Sequence, residues 1–174
     1  MVRTVKSSNT RPVILSADDD EHALFFLTRA FNEAGICATL TGAKDGTEVI
    51  AYLAGEGRFS DREAYPLPQL LLLDVNMPGR SGLDVLEYLQ RNPQFQNLPA
   101  IILSASTNES EIRRAYERGC RAYVSRPAGF PELVELVSAL QMEFFETPAD
   151  SPEAGPHTSA FSRFVVRPEN TTVN

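Results

Sequence analysis

The 174-residue sequence has few of the features that mark secreted or membrane proteins. It contains two cysteines, Cys37 and Cys120, whose separation matches no metal-binding spacing and which cannot build a disulfide framework. We interpret both as reduced core thiols of a cytoplasmic protein. No apolar run approaches the roughly 20 residues of a membrane-spanning helix. Residues 1–11 include basic side chains, but no apolar core follows them as in a signal peptide.

Positive charge is scarce and scattered. The chain contains 16 Lys and Arg residues and 23 Asp and Glu residues, which gives a net charge of -7 and a pI of about 4.9. Arg113-Arg114 is the only adjacent basic pair. Because binding to nucleic acids or anionic membranes depends on clustered Lys and Arg, the sequence predicts neither as a partner. The nucleophile-elbow and phosphate-loop motifs are also absent, and Gly55-Glu56-Gly57 lacks the context of a dinucleotide-binding loop.

Apolar periodicity alternates between strand-like and helix-like segments along the chain. The pattern predicts strands over 12–17, 36–41, 69–74, 98–104 and 121–125. It predicts helices over 21–34, 46–54, 82–90, 109–118 and 130–145. Strands that alternate with helices indicate an α/β fold, with a parallel sheet, right-handed crossovers and helices on both faces.

The composition changes at both ends of this alternating region. We expect an N-terminal extension over 1–11, one α/β domain over 12–146, and a flexible Pro-rich tail over 147–174. Within that tail, the stretch from Phe161 to Val166 is apolar enough to dock on the domain.

Acidic side chains follow two of the predicted strands. Asp74 comes directly after the leucine run 70–73, whose composition is typical of a strand buried on both faces. Asp18 and Asp19 follow the first strand. Because the carboxyl ends of parallel strands meet at one edge of the sheet, these carboxylates are expected to lie close together. Clustered carboxylates are the ligands that Mg²⁺ prefers, so the sequence predicts a magnesium site.

A hydroxyl group and a cation are predicted at the same edge. Ser104 ends the fourth strand, and Arg126 follows the fifth. An ionised aspartate such as Asp74 can attack phosphorus without a separate base, since its reference pKa is about 3.9. A hydroxyl and a cation can then bind the remaining phosphoryl oxygens. The combination favours phosphoryl transfer to an aspartate.

The order and spacing of these motifs resemble the receiver domain of bacterial response regulators over about residues 12–146. The resemblance rests on Asp18-Asp19, on the turn Asp74-Val75-Asn76-Met77-Pro78-Gly79, on Ser104-Ala105, and on Tyr123 three residues before Arg126. It implies a flavodoxin-like fold, in which five parallel strands take the order 2-1-3-4-5 and are flanked by five helices.

The resemblance also implies roles for individual residues. Asp74 would accept a phosphoryl group from a histidine kinase and form an acyl phosphate. Asp18, Asp19, Asp74 and the backbone carbonyl of Asn76 would hold Mg²⁺. Such a protein would promote its own phosphorylation and dephosphorylation without being a conventional enzyme.

Two further residues would form a switch. Ser104 would donate a hydrogen bond to the phosphoryl group, and Tyr123 would then turn inward. This change would remodel the surface made by the fourth helix, the fifth strand and the fifth helix. The implied downstream partner is a target protein or a phosphotransfer protein.

Arg126 departs from the family pattern, in which a lysine is nearly invariant at this position. Arginine keeps the positive charge, but it is longer and planar and prefers bidentate contacts. Our hypothesis is that Arg126 still reaches the phosphoryl oxygens.

Two finer features are similar to small stand-alone regulators that act with phytochrome-type sensor kinases. One is the long polar loop over 55–68, and the other is the segment from Met142 to Pro148. They indicate a kinase of that type as partner and a homodimer as the assembly.

Two other functions are compatible with these residues. A small phosphatase or phosphotransferase would also form an aspartyl phosphate, but haloacid-dehalogenase enzymes place a second aspartate where this chain has Asn76. A pseudo-receiver would bind partners without phosphorylation. The exchange at Arg126 favours that function. The retained site residues oppose it, namely Asp18, Asp19, Asp74 and Ser104.

Three features of the sequence also have simpler explanations that involve no signalling site. Asp18 to Glu21 could simply complement a helix dipole. The turn after Asp74 mimics half of a calcium loop, but Val85 stands where such a loop needs its glutamate. His22 is expected to be a surface residue with no role in the site.

Overall fold

Strand and helix alternate in the computed structural model, which describes residues 11–146 and 160–169. The strands are β1 (Val13–Ala17), β2 (Thr39–Ala43), β3 (Leu70–Leu73), β4 (Ala100–Ser104), β5 (Ala122–Ser125) and β6 (Val165–Val166). The α-helices are α1 (Ala23–Glu33), α2 (Gly46–Ala54), α3 (Gly82–Arg91), α4 (Glu109–Glu117) and α5 (Phe130–Phe144). Short 3₁₀ helices cover Gly57–Phe59, Pro93–Phe95 and Ala160–Phe164.

The strands form one sheet in the order β2-β1-β3-β4-β5-β6. The first five run parallel, and β6 pairs with β5 in the antiparallel direction. The predicted flavodoxin-like order of the five parallel strands is therefore confirmed. The sixth strand was not predicted.

Two apolar cores lie on opposite faces of the sheet. Helices α1 and α5 pack on one face, where Leu70 and Leu72 contribute to the core. Helices α2, α3 and α4 pack on the other, where Leu71 and Leu73 contribute. Side chains alternate between the faces of a strand, so a strand covered on both sides needs apolar residues throughout. This explains the leucine-only composition of β3.

The largest boundary error of the sequence prediction concerns β2, which was expected over 36–41. The strand instead begins at Thr39 and continues through Gly42 and Ala43, which pair with Ser16 and Ala17 of β1. Gly42 is thus an ordinary member of the strand, and the Leu24 side chain of α1 occupies the space that a Cβ at Gly42 would need. The other strand and helix boundaries agree with the predictions to within two residues.

The long loop after α2 is held to that helix by one arginine. Arg62 donates to the carbonyl oxygens of Tyr52 and Leu53, each at 2.8 Å, and to that of Tyr65 at 3.3 Å. It therefore binds carbonyl groups in the last turn of α2, where the regular helical hydrogen bonds end. The Tyr52 hydroxyl also donates to the carbonyl of Pro66 at 2.8 Å. Hydrogen bonds therefore hold this loop against α2.

We expect Arg62→Ala to lower the free energy of unfolding by about 2 kcal/mol, because it removes charged hydrogen bonds to partly buried carbonyls. Urea denaturation of both proteins measures this difference. Arg91→Ala is the matched control, since Arg91 is 76% exposed and pairs with Glu87 one helical turn away. The control should cost no more than about 0.5 kcal/mol. Equal losses in the two variants would contradict the assigned role of Arg62.

Part of the predicted tail packs on the domain. Phe161 is buried beside Phe144 of α5, with the ring centroids 5.8 Å apart, and Val165 and Val166 pair with β5. The expectation that the stretch from Phe161 to Val166 docks is confirmed, and the expectation of a flexible tail does not describe residues 160–169. The other tail residues and residues 1–10 lie outside the described part of the chain.

The cysteines differ in environment. Cys120 is buried, and burial raises the pKa of its thiol to about 12. Cys37 is exposed, so the prediction of a core position is wrong for this residue. Among residues 11–146 and 160–169, no helix has both the length and the hydropathy needed to cross a lipid bilayer.

Candidate metal and phosphoacceptor site

Three carboxylates converge at the carboxyl edge of the sheet. The backbone N–H of Asp18 donates to the carbonyl of Ala43 at 3.0 Å, and that of Asp74 donates to Ala17 at 2.9 Å. These bonds extend the sheet contacts beyond β1 and β3 and fix both aspartates at its edge. One oxygen each from Asp18, Asp19 and Asp74 lies within 4.8 Å of the others. The structure thus brings together the carboxylates that the sequence predicted.

Burial makes this cluster a poor place for uncompensated negative charge. The Asp18 and Asp74 side chains are only 12% and 13% exposed, whereas Asp19 is exposed. Burial raises the pKa of Asp18 above its ordinary value, although the Asp20 N–H and the Arg126 guanidinium oppose the rise. Closely spaced carboxylate oxygens are hard ligands, so this donor set fits a divalent cation such as Mg²⁺ or Mn²⁺.

Arg126 reaches the carboxylates from the end of β5. Its Nη2 donates to Oδ2 of Asp18 and lies 3.7 Å from Oδ2 of Asp74. The same nitrogen lies 3.4 Å from the carbonyl oxygen of Leu103. Its Nε is buried and makes no hydrogen bond within the described residues. The guanidinium that the sequence placed at this edge therefore contacts Asp18 more closely than Asp74.

The turn after Asp74 packs against the first residue of α3. Val75 and Met77 are buried, while Asn76 is exposed. The N–H of Gly82 donates to the carbonyl of Val75 at 3.2 Å. A Cβ at Gly82 would lie 3.0 Å from the carbonyl carbon of Asp74 and still closer to its oxygen. Sequence reasoning treated Gly82 only as the start of a helix and missed this close approach.

The predicted switch residues, Ser104 and Tyr123, are buried in β4 and β5. Ser104 is buried at the end of β4, and its hydroxyl accepts a hydrogen bond from the Ser106 N–H at 3.3 Å. Tyr123 is fully buried, and its hydroxyl donates to the Ser106 carbonyl at 2.9 Å. Burial raises the pKa of the Tyr123 hydroxyl. The ring thus already has the inward position that the family resemblance associates with phosphorylation.

Tyr116 connects Tyr123 to the C-terminal strand. Its hydroxyl accepts a hydrogen bond from the Tyr123 N–H at 3.2 Å and donates one to the Val166 carbonyl at 2.8 Å. Tyr116 lies in the polar helix α4, where neither the apolar pattern nor any motif distinguishes it. Sequence reasoning missed this link because it depends on β6.

We expect Tyr116→Phe to lower the free energy of unfolding by about 1 to 2 kcal/mol, because the Tyr123 N–H and the Val166 carbonyl lose a partner. Amide hydrogen exchange should also become faster at Tyr123 and in β6. Tyr88→Phe is the control, since Tyr88 packs against Phe95 on another part of the surface. Unchanged exchange at Tyr123 and β6 would show that the Tyr116 hydroxyl does not hold them together.

The structure bears on Val85 and His22, two residues outside the acidic cluster. Val85 is fully buried in α3, which rules out a calcium-loop arrangement around it. His22 is exposed next to α1, as predicted.

The fold and the acidic edge define the class of protein. Residues 14–138 match the family model of the response regulator receiver domain, and the chain belongs to this family of two-component signalling proteins.

The chain is similar to a curated response regulator in both sequence and structure. Response regulator Rcp1 of Synechocystis is 28% identical over 140 residues, which cover 80% of this chain and 93% of Rcp1. The Mn²⁺-bound form of Rcp1 superimposes with a TM-score of 0.69, at 25% identity over 80% of this chain and 99% of that one.

Two further solved structures are similar. A response regulator in red light signalling of R. palustris has a TM-score of 0.74 and 33% identity, over 82% of this chain and 99% of that chain. The phosphorylated cyanobacterial phytochrome response regulator RcpA has a TM-score of 0.71 and 26% identity, over 83% of this chain and 100% of that chain. This chain is therefore similar to phytochrome response regulators.

Proposed function

We propose that this protein is a phosphorylation-dependent signalling regulator in which Asp74 accepts a phosphoryl group from a histidine kinase. The observation that carries the proposal is the convergence of three carboxylates within 4.8 Å at the sheet edge, next to the guanidinium of Arg126. Phosphoryl transfer to a carboxylate needs negative ligands for a cation and positive charge for the phosphoryl oxygens. Both are present around Asp74.

Asp18, Asp19, Asp74 and the backbone carbonyl of Asn76 would hold Mg²⁺. Bound there, the cation would neutralise charge that gathers on the phosphoryl oxygens. A carboxylate oxygen of Asp74 bonds to phosphorus, and the bond from phosphorus to the donor imidazole breaks. The products are an acyl phosphate on this protein and a free histidine on the kinase.

Ser104 and Arg126 bind the new phosphoryl group. The Ser104 hydroxyl lies buried at the end of β4, and Arg126 lies 3.7 Å from Asp74. Movement of Ser104 toward the phosphoryl group would disturb its contact with Ser106, whose carbonyl also holds the Tyr123 hydroxyl. Tyr123 thereby connects the state of Asp74 to the surface of α4, β5 and α5.

The similarity to phytochrome response regulators supports a phytochrome-type histidine kinase as the donor. We place the protein in the cytoplasm. There it passes the signal to a downstream protein or a phosphotransfer protein, and a homodimer is the proposed assembly. Its chemistry is limited to its own phosphorylation and dephosphorylation.

Beryllofluoride, a mimic of the aspartyl phosphate, tests the proposal. With Mg²⁺ it should raise the unfolding temperature of the wild-type protein and change its tyrosine fluorescence, and Asp74→Asn should show no response. No response in the wild type would favour a pseudo-receiver. Hydrolysis of free phosphomonoesters that depends on Asp74 would favour a phosphatase.

A further inference from the structure

Arg126 and a metal ion would use the same carboxylate. We propose that Arg126 competes with the divalent cation for Asp18, so that this arginine weakens metal binding and becomes free for Asp74 only when the cation displaces it. The inference rests on the proposed metal site, and it concerns the position at which this chain departs from the family's lysine.

Both carboxylate oxygens of Asp18 already accept a hydrogen bond. Its Oδ1 accepts a hydrogen bond from the Asp20 N–H at 2.9 Å, and its Oδ2 accepts one from Nη2 of Arg126. The Asp20 bond belongs to the local turn that leads into α1. A cation that binds Asp18 directly therefore meets an oxygen that already has a hydrogen-bond donor, and at Oδ2 that donor is the guanidinium.

The guanidinium of Arg126 already compensates part of the negative charge of the site. Three carboxylates share the site, and the guanidinium is the positive group bonded to one of them and 3.7 Å from another. It therefore balances part of the negative charge that a metal would otherwise balance. Water screens this charge little, because the Asp18 and Asp74 side chains are only 12% and 13% exposed. A second cation placed there is repelled by the first.

The guanidinium does not use all of its hydrogen-bond donors in its present position. Its Nε is buried without a hydrogen-bond partner among the described residues, and its contact with the Leu103 carbonyl is long, at 3.4 Å. A planar guanidinium offers five N–H donors, so it can leave Asp18 for other oxygen acceptors. Displacement from Asp18 brings these donors to the phosphoryl side, where Asp74 is already within 3.7 Å.

The size of the effect follows from Coulomb's law. A doubly charged cation about 5 Å from a unit positive charge is repelled enough to weaken binding by about tenfold, even at the dielectric constant of water. Removing the charge of Arg126 should therefore tighten metal binding by about tenfold or more. By linkage, metal binding must weaken the contact between Arg126 and Asp18 by the same factor.

Isothermal titration of the full chain with Mn²⁺ and with Mg²⁺ tests this inference. Arg126→Gln removes the charge at similar length, and Arg126→Lys keeps a charge on a shorter side chain. Arg163→Gln is the matched control, because it removes one positive charge from an exposed ion pair whose acidic partner, Glu135, is outside the acidic cluster. We expect the Kd of Arg126→Gln to fall about tenfold, that of Arg126→Lys to fall less, and that of Arg163→Gln to stay at the wild-type value.

Thermal unfolding gives an independent readout. Mn²⁺ should raise the unfolding temperature of Arg126→Gln more than that of the wild type, because tighter binding to the folded state stabilises it further. Circular dichroism establishes whether each variant is folded. If Arg126→Gln does not fold, the comparison is made between Arg126→Lys and the wild type.

The outcomes separate this inference from the proposed function. If the wild type binds metal and neither Arg126 variant binds it more tightly, the competition does not exist, while the proposed function stands. If neither the wild type nor either Arg126 variant binds metal, the metal site and the inference both fail.

Discussion

Asp74→Asn is expected to abolish phosphoryl acceptance and to leave the fold unchanged. Asparagine has nearly the same shape as aspartate but lacks the anionic oxygen that attacks phosphorus. Asp74 lies just after β3 with its side chain 13% exposed, and its backbone N–H bond to Ala17 does not depend on the side chain. The exchange also removes one of three neighbouring negative charges, so the unfolding midpoint should not fall.

Intact-mass spectrometry after incubation with acetyl phosphate and Mg²⁺ measures this result. The wild type should acquire one phosphoryl group and Asp74→Asn none. Asp61→Asn is the control, because Asp61 bonds the Glu63 N–H within the loop after α2 and takes no part in the acidic cluster. Phosphorylation of Asp74→Asn to the wild-type level would place the acceptor on another residue.

Gly82→Ala is expected to lower the free energy of unfolding by about 2 to 4 kcal/mol, which is large for the addition of one methyl group. The new Cβ would meet the backbone of Asp74 and not a side chain that can rotate away. Either α3 or the turn over 74–79 has to shift. Because Asp74 begins that turn, we expect weaker Mg²⁺ binding together with the loss of stability.

Urea denaturation and isothermal titration with Mg²⁺ measure the two effects. Gly129→Ala provides the comparison, since a Cβ there would lie 3.7 Å from Pro131, an ordinary contact. That variant should lose clearly less stability. If Gly82→Ala matched Gly129→Ala in stability and the wild type in Mg²⁺ affinity, the contact between α3 and the acceptor turn would be unimportant.

The sequence was sufficient to predict the five parallel strands and the edge at which the carboxylates meet. The run over 70–73 predicted a doubly buried strand, and a strand end is a place where neighbouring parallel strands bring polar residues together. Asp18, Asp19 and Asp74 followed from that geometry without any knowledge of side-chain contacts.

The contacts that the sequence did not predict depend on distant segments. Gly42 looked like a strand break, but Leu24 of α1 occupies the space beside it. Tyr116 looked like one residue of a polar helix, but it bonds both Tyr123 and Val166. The attachment of Arg126 to Asp18 could not be read from spacing, because a flexible arginine can reach several acceptors at one sheet edge.

The position of β6 limits what else can bind along β5. Val165 and Val166 occupy the hydrogen-bonding edge of this strand, and Arg163 also pairs with Glu135 of α5. An extended peptide that adds itself to the sheet at this edge would first have to expel residues of the same chain. The apparent affinity of such a peptide is therefore proportional to the fraction of molecules in which β6 has left the edge of β5.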